Sequence, residues 1–86
     1  MAIRIDTHRL QRAAERGADP EEIRDVIETG VPIPARGNRL GKAKLYAFGR
    51  ERTGRYYEQK RVEVYYTSEG EDTVTVTVYV FYGKWD

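Results

Sequence analysis

The chain contains no cysteine, and its 86 residues include one histidine, His8, and one serine, Ser68. The absence of cysteine excludes disulfide bonds, thiolate zinc sites and a cysteine nucleophile. A single histidine argues against a dedicated transition-metal site. Ser68 falls in a predicted turn far along the chain from His8, which argues against a Ser-His-acid triad. No glycine-rich phosphate loop is present. We therefore expect neither a metal nor a cofactor, and the remaining chemistry is acid–base or electrostatic.

Long hydrophobic runs are also missing. No apolar segment approaches the roughly 20 residues of a membrane span, and residues 1–5 lack the apolar core of a signal peptide. We therefore expect a cytoplasmic protein without membrane contact. A chain of this length buries only about 60–65% of its unfolded surface, which is enough for one thin core. A single domain over residues 1–86 is predicted.

Basic and acidic side chains are nearly equal in number but unevenly placed. Fifteen basic residues against fourteen acidic ones leave a formal charge of +1. Residues 31–61 nevertheless hold nine basic side chains against Glu51 and Glu58, a net of +7, whereas residues 19–30 and 62–86 each sum to −4. One interpretation is that the opposite blocks neutralise each other on the surface. The other is a basic patch for an anionic partner, because clustered charge attracts polyanions whatever the net total.

Two short helices are predicted near the N-terminus. The first covers residues 8–16 and ends at Gly17, since glycine favours the left-handed conformation that follows a helix. The second begins with a capping box formed by Asp19 and Glu22 and ends at Gly30. Because only a few residues separate them, the two helices form a hairpin. Each is too short to be stable alone, so both must pack on an apolar surface.

Strands follow the helices. Prolines and glycines mark residues 31–42 as a loop, and strands are predicted over 44–48, 56–67 and 73–82, with a short edge strand or an ordered lead-in at residues 3–5. In the last strand the residues Val74, Val76, Val78, Val80 and Tyr82 alternate with polar and aromatic ones, which predicts that the valines are buried. The expected fold is α+β, with an N-terminal helical hairpin packed on one face of a three- to four-stranded antiparallel sheet.

His8, Arg12 and Arg16 follow one another at four-residue intervals on the first helix, so they form one stripe along its surface. A neutral imidazole there can accept the proton of a ribose 2′-hydroxyl while the two guanidiniums hold the phosphate. These three residues are the candidate catalytic set. The structural alternative is that His8 packs against the sheet edge while the arginines pair with Glu15 and the acidic second helix.

Aromatic and basic residues on the strands form a second candidate set, for nucleic-acid binding. Exposed rings among arginines can stack on unpaired bases, each stack contributing roughly 1–3 kcal/mol. The candidate stacking residues are Tyr65, Tyr79 and Phe81. The candidate phosphate ligands are Arg50, Arg52, Arg55 and Arg61. The alternatives are a solvated turn for the arginines and an aromatic face covered by a subunit partner or by the 31–42 loop.

The order of these motifs resembles a known family. The run His8-x-x-x-Arg12-x-x-x-Arg16-Gly17 is followed by an acid-rich helix and by a valine-rich hairpin closing on Thr77-Val78-Tyr79. This order is similar to that of a prokaryotic family of unknown function that opens with His-x-x-x-Arg and is related to the RelE/ParE toxin superfamily. The resemblance covers nearly the whole chain and is weakest at residues 31–56. It implies a toxin-like domain with a helical hairpin over an antiparallel sheet, and a ribosome-dependent mRNA endonuclease activity that needs no metal.

These observations support three functional hypotheses. The leading one is a RelE/ParE-like domain that binds RNA or the ribosome and cleaves messenger RNA, with His8 as the base or a phosphate ligand and with Arg12 and Arg16 neutralising the phosphate. The second is a non-catalytic interaction module that binds an antitoxin-like protein or a second copy of the chain as a homodimer. The third is a metal-free hydrolase that holds a small anionic substrate in a deep pocket around His8.

Overall fold

Two helices lie on one face of a five-stranded mixed sheet in the computed structural model, which describes residues 2–85. Along the chain the elements are β1 (Ile3–Arg4), α1 (Thr7–Arg16), α2 (Pro20–Thr29), β2 (Val31–Ile33), β3 (Leu40–Arg52), β4 (Arg55–Glu69) and β5 (Asp72–Gly83). The strands lie in the order β1-β5-β4-β3-β2, and neighbours are antiparallel except for β1 and β5, which are parallel. The predicted α+β class, with two helices and a sheet, is confirmed. Neither helix is long and apolar enough to cross a membrane.

The sheet differs from the predicted one of three or four antiparallel strands. β1 adds a parallel strand, and β2 lies within residues 31–42, where only a loop is expected. Pro32 is compatible with β2 because this strand is at the edge of the sheet, where a missing N–H is tolerated. β3 continues to Arg52, beyond the predicted end at residue 48, because Gly49 adopts a positive φ of 59° at a bulge.

Local signals set the ends of the helices. A carboxylate oxygen of Asp6 accepts from a backbone N–H in the first turn of α1 at 2.8 Å. Asp19 and Glu22 form the predicted capping box at the start of α2. Gly17 ends α1 with a φ of +102°, and a Cβ at this position would collide with the hydroxyl of Tyr82. Glycine is therefore favoured at position 17 by both backbone conformation and space.

The hydrophobic core lies between α2 and the centre of the sheet. Ile23, Val26 and Ile27 follow one another at helical spacing and are almost completely buried. They belong to the same cluster as Val62 and Val64 of β4, which have no exposed surface. A ten-residue helix is marginal alone in water, so this apolar contact supplies most of the stability of α2.

A bulge in β5 reverses which side chains face the helices. Strict alternation predicts that Val74 and Val76 are buried, and this prediction is wrong because both are only half-buried. Thr73 and Thr75 are buried in their place. β5 pairs with β4 in a register that skips Val76, and one extra residue shifts the alternation by one position. Beyond the bulge Val78 is buried, as predicted, and the aromatic residues that alternate with it are exposed.

The two edges of the sheet are covered to different extents. α1 lies along β5, where Nε of Arg9 donates to the carbonyl of Val76 at 2.5 Å and Nη1 of Arg16 donates to the carbonyl of Val78 at 2.7 Å. On the opposite side β2 pairs with β3 only at residues 41–43. From Lys44 onward the outer edge of β3 therefore has no strand beside it in the described part of the chain.

Candidate nucleic-acid interface

α1 and the outer edge of β5 form a shallow groove of about 190 Å³. We call it the α1 groove, and its lining is His8, Arg9, Arg12, Arg16, Val76, Thr77 and Val78. The structure thus brings the three residues of the predicted catalytic stripe into one groove. His8 and Arg12 are exposed, whereas Arg16 is half-buried. The groove is open to solvent, so it does not supply the deep pocket that a hydrolase of small anions would need.

Arg16 has structural contacts that the sequence did not indicate. Its guanidinium donates to the carbonyl of Val78 and also lies over the ring of Tyr79, 5.5 Å from the centroid. Its own carbonyl accepts from the hydroxyl of Tyr82 at 2.7 Å. The expected alternative, an ion pair with Glu15 or with α2, is not formed by Arg16 within residues 2–85. Arg16 therefore joins α1 to the aromatic face of β5.

The predicted stacking residues lie together on the face of the sheet opposite the helices. The ring centroids of Tyr65 and Tyr79 are 6.0 Å apart with the planes at 74°, and those of Tyr79 and Phe81 are 6.3 Å apart. Tyr79 and Phe81 are 43% and 47% exposed, so each can offer its ring to a ligand. Burial, followed by the charge of Glu63, raises the pKa of Tyr65. Its phenol is therefore protonated at neutral pH and donates to the Glu63 carboxylate at 3.2 Å.

The segment between β2 and β3 adds two arginines to this aromatic face. A second cleft, of about 300 Å³, lies where this segment crosses the sheet. We call it the tyrosine cleft, and its lining is Pro34, Ala35, Arg36, Arg39, Tyr65, Thr77 and Tyr79. Arg36 and Arg39 are not among the predicted site residues. The net charge of +7 over residues 31–61 was the available signal, but it did not distinguish these two from the seven other cations of that block.

The α1 groove and the tyrosine cleft meet at Thr77, which lines both. We call the two together the β5 edge surface. Their basic residues are His8, Arg9, Arg12, Arg16, Arg36 and Arg39, and neither lining includes a carboxylate. Two acidic groups contact lining residues, and both are ion-paired, Asp6 with Arg9 and Glu63 with Arg61. A positive potential along this edge follows.

The predicted phosphate ligands on the β3–β4 hairpin lie outside the β5 edge surface and do not form one groove. Arg52 donates to the carbonyl of Glu15 at 2.8 Å and stacks on a ring of β5, which ties the hairpin to the end of α1. Arg50 lies over the ring of Phe48, 4.8 Å from its centroid. Arg61 is paired with Glu63 at 2.9 Å. Arg55 is exposed near the hairpin tip. None of these four arginines lines the β5 edge surface.

A separate polar cluster holds α2 to β3. Asp25 accepts from Lys44 at 2.7 Å and from the hydroxyl of Tyr46 at 2.6 Å. The hydrogen bond from Lys44, with a second from Tyr46, lowers the pKa of Asp25 to about 2, and burial raises that of Tyr46. All of these groups are hydrogen-bonded to one another, so the cluster is explained as a helix-to-sheet contact. Residues 2–85 contain no group of three or more histidine, cysteine or acidic side chains placed to hold a metal ion.

Comparisons with known proteins add no relative of established function. No family model, no curated protein and no solved structure matches the chain. The functional interpretation therefore depends on the geometry and charge of the β5 edge surface.

Proposed function

We propose that this chain binds RNA across the β5 edge surface, as a small RelE/ParE-like domain. The composition of that surface carries the proposal: five arginines and His8 surround two tyrosines, and no carboxylate lines either cleft. A planar guanidinium group binds two phosphate oxygens at once through parallel hydrogen bonds, and exposed aromatic rings stack on bases. RNA is a ligand that offers both phosphates and bases at close spacing.

The arginines of the α1 groove keep hydrogen-bond donors for a ligand. Arg9 and Arg16 each donate to a strand carbonyl, and Arg9 also pairs with Asp6. Because a guanidinium carries five N–H donors, both arginines retain others. Arg12 is exposed, and its side chain makes no hydrogen bond or ion pair with residues 2–85. Arg12 is therefore the residue whose removal tests phosphate binding with the least disturbance of the fold.

Cleavage is the second part of the proposal. In the proposed step His8 accepts the 2′-hydroxyl proton as the 2′ oxygen bonds to phosphorus. The bond from phosphorus to the 5′ oxygen breaks, that oxygen takes a proton from water, and the resulting hydroxide takes the proton held by His8. The products are a 2′,3′-cyclic phosphate and a 5′-hydroxyl. Arg12 and Arg16 stabilise the charge on the phosphate. His8 is exposed, however, and no hydrogen bond from residues 2–85 orients its ring.

Binding is tested by fluorescence anisotropy with a labelled single-stranded RNA over a salt series. Arg12→Ala is expected to lower affinity and to reduce the slope of log K against log salt by about 0.7, the value for one phosphate contact on a single strand. Arg24→Ala is the matched control, because Arg24 is exposed on α2 and lines neither cleft. Equal affinities and slopes for the two variants would overturn the proposal.

Cleavage is tested by primer extension on messenger RNA after the purified protein is added to a translating extract. New defined 5′ ends that disappear with His8→Ala would establish a translation-linked nuclease with His8 in its site. Intact message, together with RNA binding that depends on Arg12, would leave a binding protein without nuclease activity.

A second candidate function, a non-catalytic interaction module, is favoured by a different surface. Within residues 2–85 the outer edge of β3 has no strand beside it from Lys44 onward, and an apolar cleft of about 410 Å³ lies next to it. Val31 and Leu45 line this cleft and are 69% and 38% exposed. An unpaired strand edge next to apolar side chains can accept a further strand from an antitoxin-like peptide or from a second copy of the chain.

Light scattering coupled to gel filtration tests this second function. A dimer that becomes a monomer with Leu45→Lys, but not with the exposed control Leu40→Lys, would support self-association through the β3 edge. A monomer at high concentration that captures no added peptide would argue against the module.

A further inference from the structure

We infer that the tyrosine cleft accepts one unpaired base, stacked on Tyr79, with the neighbouring phosphates on Arg36 and Arg39. The ligand is accordingly single-stranded RNA and not a duplex. This inference rests on the proposed RNA binding and specifies its substrate class. It also brings into the site the segment between β2 and β3, whose two arginines the sequence patterns did not single out.

The shape of the cleft supports a single base. Its volume of about 300 Å³ is at the lower end of the range for ligand sites, which suits one planar ring system better than a base pair. The ring of Tyr65 stands at 74° to that of Tyr79. It therefore forms a wall beside the stacked base and not a second parallel platform. A base within a duplex is stacked on both faces and cannot reach Tyr79 without leaving the helix.

The charges around the cleft fit the phosphates on either side of that base. A backbone hydrogen bond from Arg39 N to the carbonyl of Arg36, 3.2 Å long, closes a turn that carries both arginines. Both are exposed and make no ion pair with residues 2–85. Both side chains line the tyrosine cleft, so a phosphate bound there would compensate two like charges that have no acidic partner among residues 2–85.

Arg16 connects the base position to the α1 groove. Its guanidinium lies over the ring of Tyr79 and donates to the carbonyl of Val78, and it also lines the α1 groove. A strand whose base stacks on Tyr79 can therefore continue across the β5 edge at Thr77, with its next phosphate toward Arg12. The path from Arg36 to Arg12 requires a strand that bends around one edge of a sheet. A flexible single strand can do this, and a duplex is too stiff.

The experiment compares one labelled twelve-nucleotide RNA, designed without internal pairing, with the same RNA annealed to its complement. Tyr79→Leu is expected to weaken single-strand binding by about 5- to 150-fold, the loss that corresponds to one aromatic stack, and to leave duplex binding unchanged. Tyr79→Phe keeps the ring and is expected to bind like the parent chain. Tyr56→Leu is the control, because Tyr56 is also exposed but lies at the hairpin tip.

The outcomes separate this inference from the proposed function. The base site would be overturned if the protein bound duplex RNA as tightly as the single strand, or if the Tyr79→Leu variant bound the single strand as tightly as the Tyr56→Leu variant. The proposed function would still stand in either case if salt-dependent binding through Arg12 persisted. Loss of affinity in Arg36→Ala and Arg39→Ala, with Arg24→Ala unchanged, would support the phosphate positions. If Arg12→Ala had no effect either, the proposed function itself would fail. Thermal unfolding of each variant checks that its fold is retained.

Discussion

The hydroxyl of Thr75 leads to a stability prediction that can be worked out from the structure. Thr75 is 1% exposed on the core side of β5, and its Oγ1 has no hydrogen-bond partner among residues 2–85. In the unfolded chain the same hydroxyl is hydrogen-bonded to water. Folding therefore gives up that bond without replacement, at a cost of about 1–3 kcal/mol. Thr75→Val replaces the hydroxyl with a methyl group of similar size and removes this cost.

We expect Thr75→Val to raise the free energy of unfolding by about 1–2 kcal/mol, since the added methyl also gains from burial. For a domain of this size, 1 kcal/mol corresponds to a rise in Tm of about 4–8 °C. Urea unfolding followed by circular dichroism and by the fluorescence of Trp85 gives the free energy. The slope of that energy with urea is expected to stay the same, because the surface exposed on unfolding does not change.

Thr67→Val is the matched control on the neighbouring strand. Thr67 is half-exposed on β4, so its hydroxyl keeps access to water in the folded chain and the substitution is expected to change stability by less than about 0.5 kcal/mol. A Thr75→Val variant that is less stable than the parent chain would refute the reasoning. The hydroxyl of Thr75 would then have a hydrogen-bond partner that the valine cannot satisfy.

Three further substitutions test the contacts that hold the helices. Gly17→Ala is expected to cost about 2 kcal/mol in urea unfolding, because a Cβ there meets a positive φ and the hydroxyl of Tyr82. Adding Tyr82→Phe is expected to recover part of the loss, and no recovery would mean that backbone strain alone is responsible. The pKa of Asp25 is lowered from 3.8 to about 2, first by the hydrogen bond from Lys44, so its contribution to stability is present above about pH 4 and is lost as the pH falls through 2. Asp25→Asn is therefore expected to make the urea midpoint change less between pH 4 and pH 2 than it does in the parent chain. A midpoint that falls with pH as steeply as in the parent chain would contradict the lowered pKa. In the parent chain the Lys60 ammonium is 2.7 Å from the Glu22 carboxylate. Lys60→Met leaves this carboxylate without its cation and is expected to lower the free energy of unfolding by about 3 kcal/mol in the same assay. A loss below 1 kcal/mol would show that water replaces the lysine.

Elements with local signals could be predicted from the sequence, and elements set by strand pairing could not. The capping box of Asp19 and Glu22 and the glycine at position 17 act within one helical turn, so the sequence predicts both helices nearly to the residue. The bulge at Val76 depends on how β5 pairs with β4, which no pattern within β5 records. The small strand β2 contains Pro32, and only its place at the edge of the sheet makes that proline compatible with a strand.

The candidate site shows the same division. His8, Arg12 and Arg16 could be placed on one stripe because helical spacing alone brings them together. The path of the loop that carries Arg36 and Arg39 over the sheet is a tertiary feature, and composition did not separate these arginines from the other cations of residues 31–61. Proximity in sequence predicts one group of arginines at the β3–β4 hairpin, but the bulge at Gly49 and the contact of Arg52 with α1 separate their side chains.

The unequal sides of the sheet limit how many copies of this chain can associate through strands. The arginines of α1 occupy two carbonyls of β5, and the edge strands β1 and β2 are short, so β3 has the longest strand edge without a neighbour in the described part of the chain. Two copies that join through their β3 edges cover this stretch in each other and leave only the short outer edges of β1 and β2 beside the α1-covered part of β5. Head-to-tail polymers need two complementary surfaces on every subunit. Pairing through β3 would therefore favour two copies over a fibre, because the other side of the sheet offers only the two residues of β1 while α1 lies along β5.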